Sequence, residues 1–342
     1  MKSSVKHTLR LGVSLVILGM LVLFATKVNW HIIWGQMRSA SLPLLVAASL
    51  VNLASIVVKG LRWWIFLRPI GVTSPWLALR ATFAGAGLNN VLVANGGEAA
   101  RVVFVARSAH VPSARVVATL ALERLFELVG YVAMLALAAS FLDLPPKLAG
   151  YKPFAIGALV LMLLLLVWLV RRPDAGELAE GPLAIGWKAR LRIQWAHFAH
   201  TIATVSSGPR FIAALLLSVG AWALQVATYQ MTAQAAHFPM TTVATIAALL
   251  LVNLGFLFRF TPGNVGIFQA AYAAAAVAFG LDKETAIAVA FLIQAQQILP
   301  VTLIGIALAP EFIFKQKKRR ADDAVGEIPS QSRSTADRRE TR

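Results

Sequence analysis

From Leu9 to Ala309 the chain is a series of apolar runs of near-spanning length, and this pattern constrains the fold more than any other feature. Phe154–Val170 and Phe211–Tyr229 contain few or no charges, and about 20 such residues cross a hydrocarbon core as a helix. The chain is 58% hydrophobic and only 14% charged, with a mean hydropathy of +0.71, whereas a soluble domain is about a quarter charged. Only helices and closed barrels satisfy their backbone inside a bilayer. The alternating segments of roughly ten residues that build a barrel are absent. The expected fold class is therefore an all-α polytopic membrane protein.

Read in order, the apolar runs are 9–28, 41–60, 116–142, 153–170, 211–231, 241–258, 261–281 and 286–309, with Trp76–Ala94 between the second and third. Lys59, Arg62 and Arg68 stand at the exit of the second run, where Trp63 and Trp64 suit an interfacial belt. Met1–Arg10 before Leu11–Ala25 has the look of a secretory leader but lacks an A-x-A cleavage site, so an uncleaved first helix is expected. Residues 171–210 are polar and basic, and Trp187–Val205 reads as an amphipathic helix lying on the membrane surface. Residues 1–314 make one membrane domain; 315–342 make a basic, Ser-rich tail expected to be disordered.

The net charge of +17 does not point to nucleic acid, because the Lys and Arg flank apolar runs as orientation signals do beside an anionic leaflet. The basic clusters at the N-terminus, Arg62/Arg68, Arg101–Arg115, 171–192 and 315–320 all fall on one side only if Trp76–Ala94 dips in and returns. That gives about eight transmembrane helices plus one or two re-entrant segments, with both termini cytoplasmic.

Two breaks interrupt this apolar pattern. The first, Leu88–Arg101, runs LNNVLVANGGEAAR; the second, Arg259–Gly266, runs RFTPGNVG. Asn and Gly free backbone groups that hydrocarbon cannot satisfy, and broken helices in corresponding parts of two halves point to a transporter binding site. Each half offers a pair of runs, a break with a polar residue just beyond it (Glu98, Gln269), and a run with interior polar residues, consistent with an inverted repeat. A helix starting after such a break directs free N–H groups at an anion. With Arg101 on one side and Arg259 on the other, the cavity suits a phosphate. The candidate binding residues are Asn89, Asn90, Asn95, Gly96, Gly97, Glu98, Arg101, Glu123, Arg124, Arg259, Pro262, Gly263, Asn264, Gly266 and Gln269; Gln294, Gln296 and Gln297 line the same space or bond between helices.

Ionisable groups inside runs cost about 2.5–3.5 kcal/mol each on insertion scales and need partners. Glu123 and Arg124 diverge as neighbours on a helix, which pairs Arg124 with Glu98 or Glu127, and Glu123 with Arg80 or Arg101. Glu123 and Glu127 share a face, so a cation between them is expected. The bland alternative is a structural ion-pair network, with Pro262-Gly263 a plain turn and Arg259 snorkelling to headgroups. No catalytic residue, metal site or cofactor is expected. The chain lacks cysteine, a G-x-x-x-x-G-K-[ST] loop, H-E-x-x-H and G-x-S-x-G.

At these breaks the chain resembles the lysylphosphatidylglycerol synthase transmembrane-region family of flippase-like integral membrane proteins. The resemblance rests on Asn89-Asn90, Gly96-Gly97-Glu98, Arg101, Leu122-Glu123-Arg124-Leu125 and Thr261-Pro262-Gly263-Asn264-Val265-Gly266, in that order, and covers about Leu9 to Ala309. A proline usual before the first glycine pair is Val93 here, and the family's acidic residue after the second motif is Gln269, so no proton-coupling role carries over there. The resemblance implies translocation of a lipid with an anionic headgroup between leaflets of a bacterial inner membrane. Its cargo would be a phospholipid, a polyprenyl-phosphate lipid or a hopanoid. A soluble aminoacyl-transferase domain is not expected after Ala309, so synthase activity does not carry over. The alternatives are an integral membrane enzyme of lipid-linked glycan, aminoacyl-lipid or hopanoid metabolism, with Glu98 or Glu123 as acid/base, or an accessory subunit. Expected partners are membrane lipids and anionic headgroups, with a lipid-modifying enzyme or a homo-oligomer open.

Overall fold

Each half of the chain is organised by a long helix, a pair of short helices and a second long helix. The computed structural model describes residues 29–91, 96–141, 208–256 and 262–308, with Thr26 and isolated positions between 150 and 164. Most of the expected runs 9–28 and 153–170, residues 171–207, the tail from Lys315, and Asn95, Arg259 and Thr261 lie outside the described residues. Every regular element among those described is helical.

After α1 (Trp30–Ser39), α2 (Leu42–Leu67) carries Pro43 in its first turn, where a missing N–H costs nothing, and ends at Arg68-Pro69 with Gly71 at φ 102°. Next come α3 (Pro75–Val91), α4 (Gly96–Ser108) and the 29-residue α5 (Ser113–Phe141). The second half comprises α6 (Gly208–Ala235), α7 (Thr242–Gly255), α8 (Ile267–Ala278) and α9 (Lys283–Leu308). Thr241 caps α7 by accepting from the Ala244 N–H at 3.2 Å. Among the described residues, Leu42–Ile70, Pro209–Ala235 and Lys283–Leu308 are long and apolar enough to cross a membrane.

The short helices double back on themselves. Gly97 packs on Gly85 and Asn89, while Arg80 lies over the Phe104 ring, so α3 and α4 run antiparallel. Ile267 meets Gly255, and the Tyr272 hydroxyl reaches Met240 Sδ at 2.9 Å, which fixes α7 and α8 as a second antiparallel hairpin. At 17, 13, 14 and 12 residues, the four arms measure about 18–26 Å, short of the roughly 30 Å hydrocarbon core. The expected runs 241–258 and 261–281 thus fold as the second hairpin, where a second re-entrant segment was among the expectations. Gly and Asn end each apolar run before it is long enough, and the chain returns beside itself.

The Ser41 N–H donates to the Ala235 carbonyl at 2.8 Å and Arg62 donates to Ser218 Oγ at 3.1 Å, so α2 and α6 are antiparallel. Each hairpin follows the C-terminal end of its long helix, so the two enter from opposite ends of the bundle. Their tips meet against α9. A methyl group placed on Gly263 would lie 2.8 Å from Ile298 Cδ1 and 3.9 Å from the Asn90 carbonyl oxygen. Asn90 Nδ2 donates to Thr302 Oγ1 at 3.1 Å, and the Gly87 and Gly305 backbones touch. Small residues allow this approach, and dispersion drives it where lipid offers no hydrophobic gain.

Candidate functional site

The site is built from helix periodicity. On α2 the positions Asn52, Ile56, Lys59 and Arg62 recur at three- and four-residue intervals and share a face. On α5 Glu123 and Glu127 lie four apart and share another. α4 begins directly after the first break, so Glu98 and Arg101 enter the same space from the hairpin. A cavity of about 270 Å³ lies among these faces and is lined as well by Gln225, Tyr229, Asn253 and Gln297.

Its charges form a chain of ion pairs that runs from depth to mouth. Arg101 contacts Glu123, and its guanidinium stacks 4.0 Å above the Trp63 ring. Arg62 lies between the two carboxylates of α5, 3.7 Å from Glu123 and 3.3 Å from Glu127, which is the cation that the spacing of those residues demands. Arg124 contacts both Glu98 and Glu127, tying the hairpin to α5. Side-chain exposure rises from 1% at Arg62 to 53% at Arg124, which places Arg124 at the opening. Arg80, the other partner considered for Glu123, lies instead over Phe104.

Three expectations change here. Lys59 and Arg62 are not exit residues, because α2 continues to Leu67 and Arg62 is fully buried. Trp63 is buried under Arg101 rather than set in an interfacial belt. Arg101 is buried as well, while Arg107 and Arg115 are exposed, so the three do not form one surface patch. In each case the cause is long-range: the carboxylates that admit Arg62 and Arg101 stand on α5.

The structure brings Asn89, Asn90, Glu98, Arg101, Glu123 and Arg124 together around the cavity. Asn89 also closes the first hairpin, with its Oδ1 accepting the Gly97 N–H at 2.8 Å. Gly97 is required there, since a methyl group on it would overlap the Gly85 carbonyl. Gly96 starts the same helix. Pro262, Gly263, Asn264, Gly266 and Gln269 make the tip of the second hairpin, beside Asn90 rather than on the cavity wall. Gln269 Oε1 accepts the Gly266 N–H at 2.7 Å, Gln269 Nε2 bonds Gln294 at 2.6 Å, and Gln294 Nε2 donates to the Gly263 carbonyl at 2.7 Å. Asn264 Nδ2 donates to the Gly255 carbonyl at 3.3 Å. The N–H groups of Gly97 and Gly266 are thus satisfied by the chain's own amides.

Sequence reading missed Lys59, Arg62, Asn52, Gln225 and Asn253 as cavity residues. The signal was present for α2: the 52-56-59-62 register is a helix face that continues into the charged end. Among the described residues no cluster of three His, Asp or Glu side chains is placed to hold a metal ion.

The model of the lysylphosphatidylglycerol synthase TM region family matches residues 9–305. Comparison with curated proteins and with solved structures returned no match. Long apolar helices and a match over most of its length make this a multi-pass membrane protein, and the chain belongs to the lysylphosphatidylglycerol synthase TM region family.

Proposed function

We propose that the chain translocates a lipid with an anionic headgroup between leaflets, the headgroup passing through the central cavity while the acyl chains stay in lipid. One observation carries this reading: at the meeting point of two inverted hairpins, four cations (Lys59, Arg62, Arg101, Arg124) face three carboxylates (Glu98, Glu123, Glu127) in one cavity. Inverted repeats with interrupted helices at mid-membrane are the architecture of alternating access. The family's name, which refers to lipid synthesis, supports a lipid as cargo. Counting the expected runs 9–28 and 153–170, α2, α5, α6 and α9 as crossings, and both hairpins as re-entrant, Arg68, Arg107 and Arg115 and the basic stretches expected at the N-terminus, 171–192 and 315–320 fall on the cytoplasmic side of the cell membrane, while Arg62 and Arg101 line the cavity. The described candidate residues of the second tip, Pro262, Gly263, Asn264, Gly266 and Gln269, then act beside the first.

The test is leaflet exchange in proteoliposomes, read as the fraction of fluorescent acyl-labelled lipid bleached by external dithionite. Exchange above the protein-free rate is expected, with Arg101→Ala or Glu123→Gln abolishing it in protein that still elutes as a single folded species. Wild-type rates in both variants would refute the assignment. Removing 315–342 should be tolerated, which separates this reading from that of an accessory subunit recruited through its tail.

A further inference from the structure

Lys59 is unlike the other cations of the cavity. Arg62, Arg101 and Arg124 each contact a carboxylate, and Glu98, Glu123 and Glu127 each contact an arginine. Lys59 lines the cavity one turn before Arg62 and makes no ion pair or hydrogen bond among the described residues. Glu127 is within electrostatic reach of it but not in contact. With every carboxylate of the described lining already committed to arginine, its one excess formal positive charge resides on Lys59.

This inventory selects a ligand. One anionic charge neutralises the described lining; a phosphomonoester dianion or a diphosphate would leave charge there unpaired away from bulk water, which is costly. An ammonium-bearing headgroup finds no uncommitted carboxylate. The rest of the wall is neutral and incompletely engaged. Asn52 and Asn253 use their Nδ2 groups on the Gln296 and Leu249 carbonyls, at 3.4 and 2.8 Å, and keep Oδ1. Asn89 uses Oδ1 and keeps Nδ2, and Gln225 makes no hydrogen bond among the described residues. Open amide oxygens and N–H groups suit hydroxyls, which both donate and accept. At about 270 Å³ the cavity lies just below the roughly 300–1,000 Å³ of small-molecule pockets, which is headgroup size.

Resting on the translocation reading above, we propose that the cargo's polar end is a monoanionic phosphodiester bearing an uncharged, hydroxyl-carrying group, a polyol or a sugar. Its phosphate sits on Lys59 and its hydroxyls on the amide wall, and Lys59 sets the preference.

The full chain is reconstituted in phosphatidylcholine vesicles with trace acyl-labelled phosphatidylglycerol, phosphatidylethanolamine or phosphatidic acid. Phosphatidylglycerol should exchange about tenfold or more faster than the other two, the factor expected for one charge-assisted hydrogen bond. Lys59→Gln should remove that advantage and Lys59→Arg should keep it. Native mass spectrometry of the wild type, which should retain phosphatidylglycerol over phosphatidylethanolamine, decides the matter if Lys59→Gln does not fold. Equal exchange of all three lipids, or fastest exchange of phosphatidylethanolamine or phosphatidic acid, overturns the headgroup assignment and leaves translocation standing. Exchange of none above the protein-free rate overturns both.

Discussion

Glu123→Gln tests whether the ion pairs of the cavity are buried enough to matter. Glu123 contacts Arg101 and lies 3.7 Å from Arg62, and all three side chains are buried. The amide keeps the shape and removes the charge. Arg62 and Arg101 are then left with Glu127, which Arg124 already contacts. An uncompensated buried charge costs about 3–5 kcal/mol. Arg101→Met should be milder, because Glu123 keeps Arg62 and the thioether chain refills the space over Trp63; losing one charge-assisted hydrogen bond costs about 1.5–3 kcal/mol. The double variant removes both members of the pair, so its cost should fall short of the sum by about 2 kcal/mol, within the range seen for contacting residues. The assay is the folded fraction across an SDS titration in mixed micelles for the four proteins of the cycle. Additivity within about 0.5 kcal/mol, or a Glu123→Gln cost below about 1 kcal/mol as for an exposed pair, would refute the buried network. Leaflet exchange by the double variant should stay lost even where its fold recovers.

Three further outcomes follow from the geometry. Gly97→Ala should cost about 3 kcal/mol or more, the upper end of overpacking, because the added methyl meets the Gly85 carbonyl and Asn89; Gly220→Ala on α6, with nothing within 4 Å of the added carbon, should gain up to about 1 kcal/mol from helix propensity, both read by SDS titration. Asp282 caps α9, accepting from the Thr285 hydroxyl and N–H at 2.7 Å, and these bonds hold its carboxyl below the usual carboxylate range. Its stabilisation is therefore full above about pH 4 and fades as pH falls through the lowered value, so the roughly 1 kcal/mol cost of Asp282→Ala should be present in melts at pH 7 and shrink below pH 4. Arg124→Gln at the half-exposed mouth should change stability by under about 1 kcal/mol yet slow exchange of anionic lipid, and the wild-type advantage over it should decline as salt is raised.

The helical class, both breaks and the partners of Glu123 and Arg124 were legible in the sequence because each has a local cause: apolar runs, Asn-Gly interruptions, and four-residue spacing of carboxylates on one helix. The hairpin at 242–278 was legible only in part: a second re-entrant segment was an expectation at 261–281, but Thr241–Phe258 is apolar enough to pass for a span. Its return along Tyr272 and Met240 packs the two arms against each other. The depth of Arg62 and Lys59 was not visible. A basic residue beside tryptophans at the end of an apolar run reads as an interfacial anchor until a carboxylate is known to face it, and that carboxylate is some sixty residues away, on α5.

The two halves share one order of helices but differ in the pairs that fasten their described hairpins. In the first, Arg101 on the returning arm of the hairpin pairs with Glu123 on the long helix that follows; in the second, Gln269 pairs with Gln294 in the corresponding place. Either pair holds a hairpin to its neighbour. The amide version does so without the about 2.5–3.5 kcal/mol that each ionisable side chain costs in a bilayer. A chain that needed only to fasten its hairpins would use amides twice. The first half instead gathers seven ionisable side chains around one cavity, arranged so that all but Lys59 compensate one another. On the translocation reading proposed above, a cost kept in one half, with Lys59 uncommitted among the described residues, suits an anion-binding half.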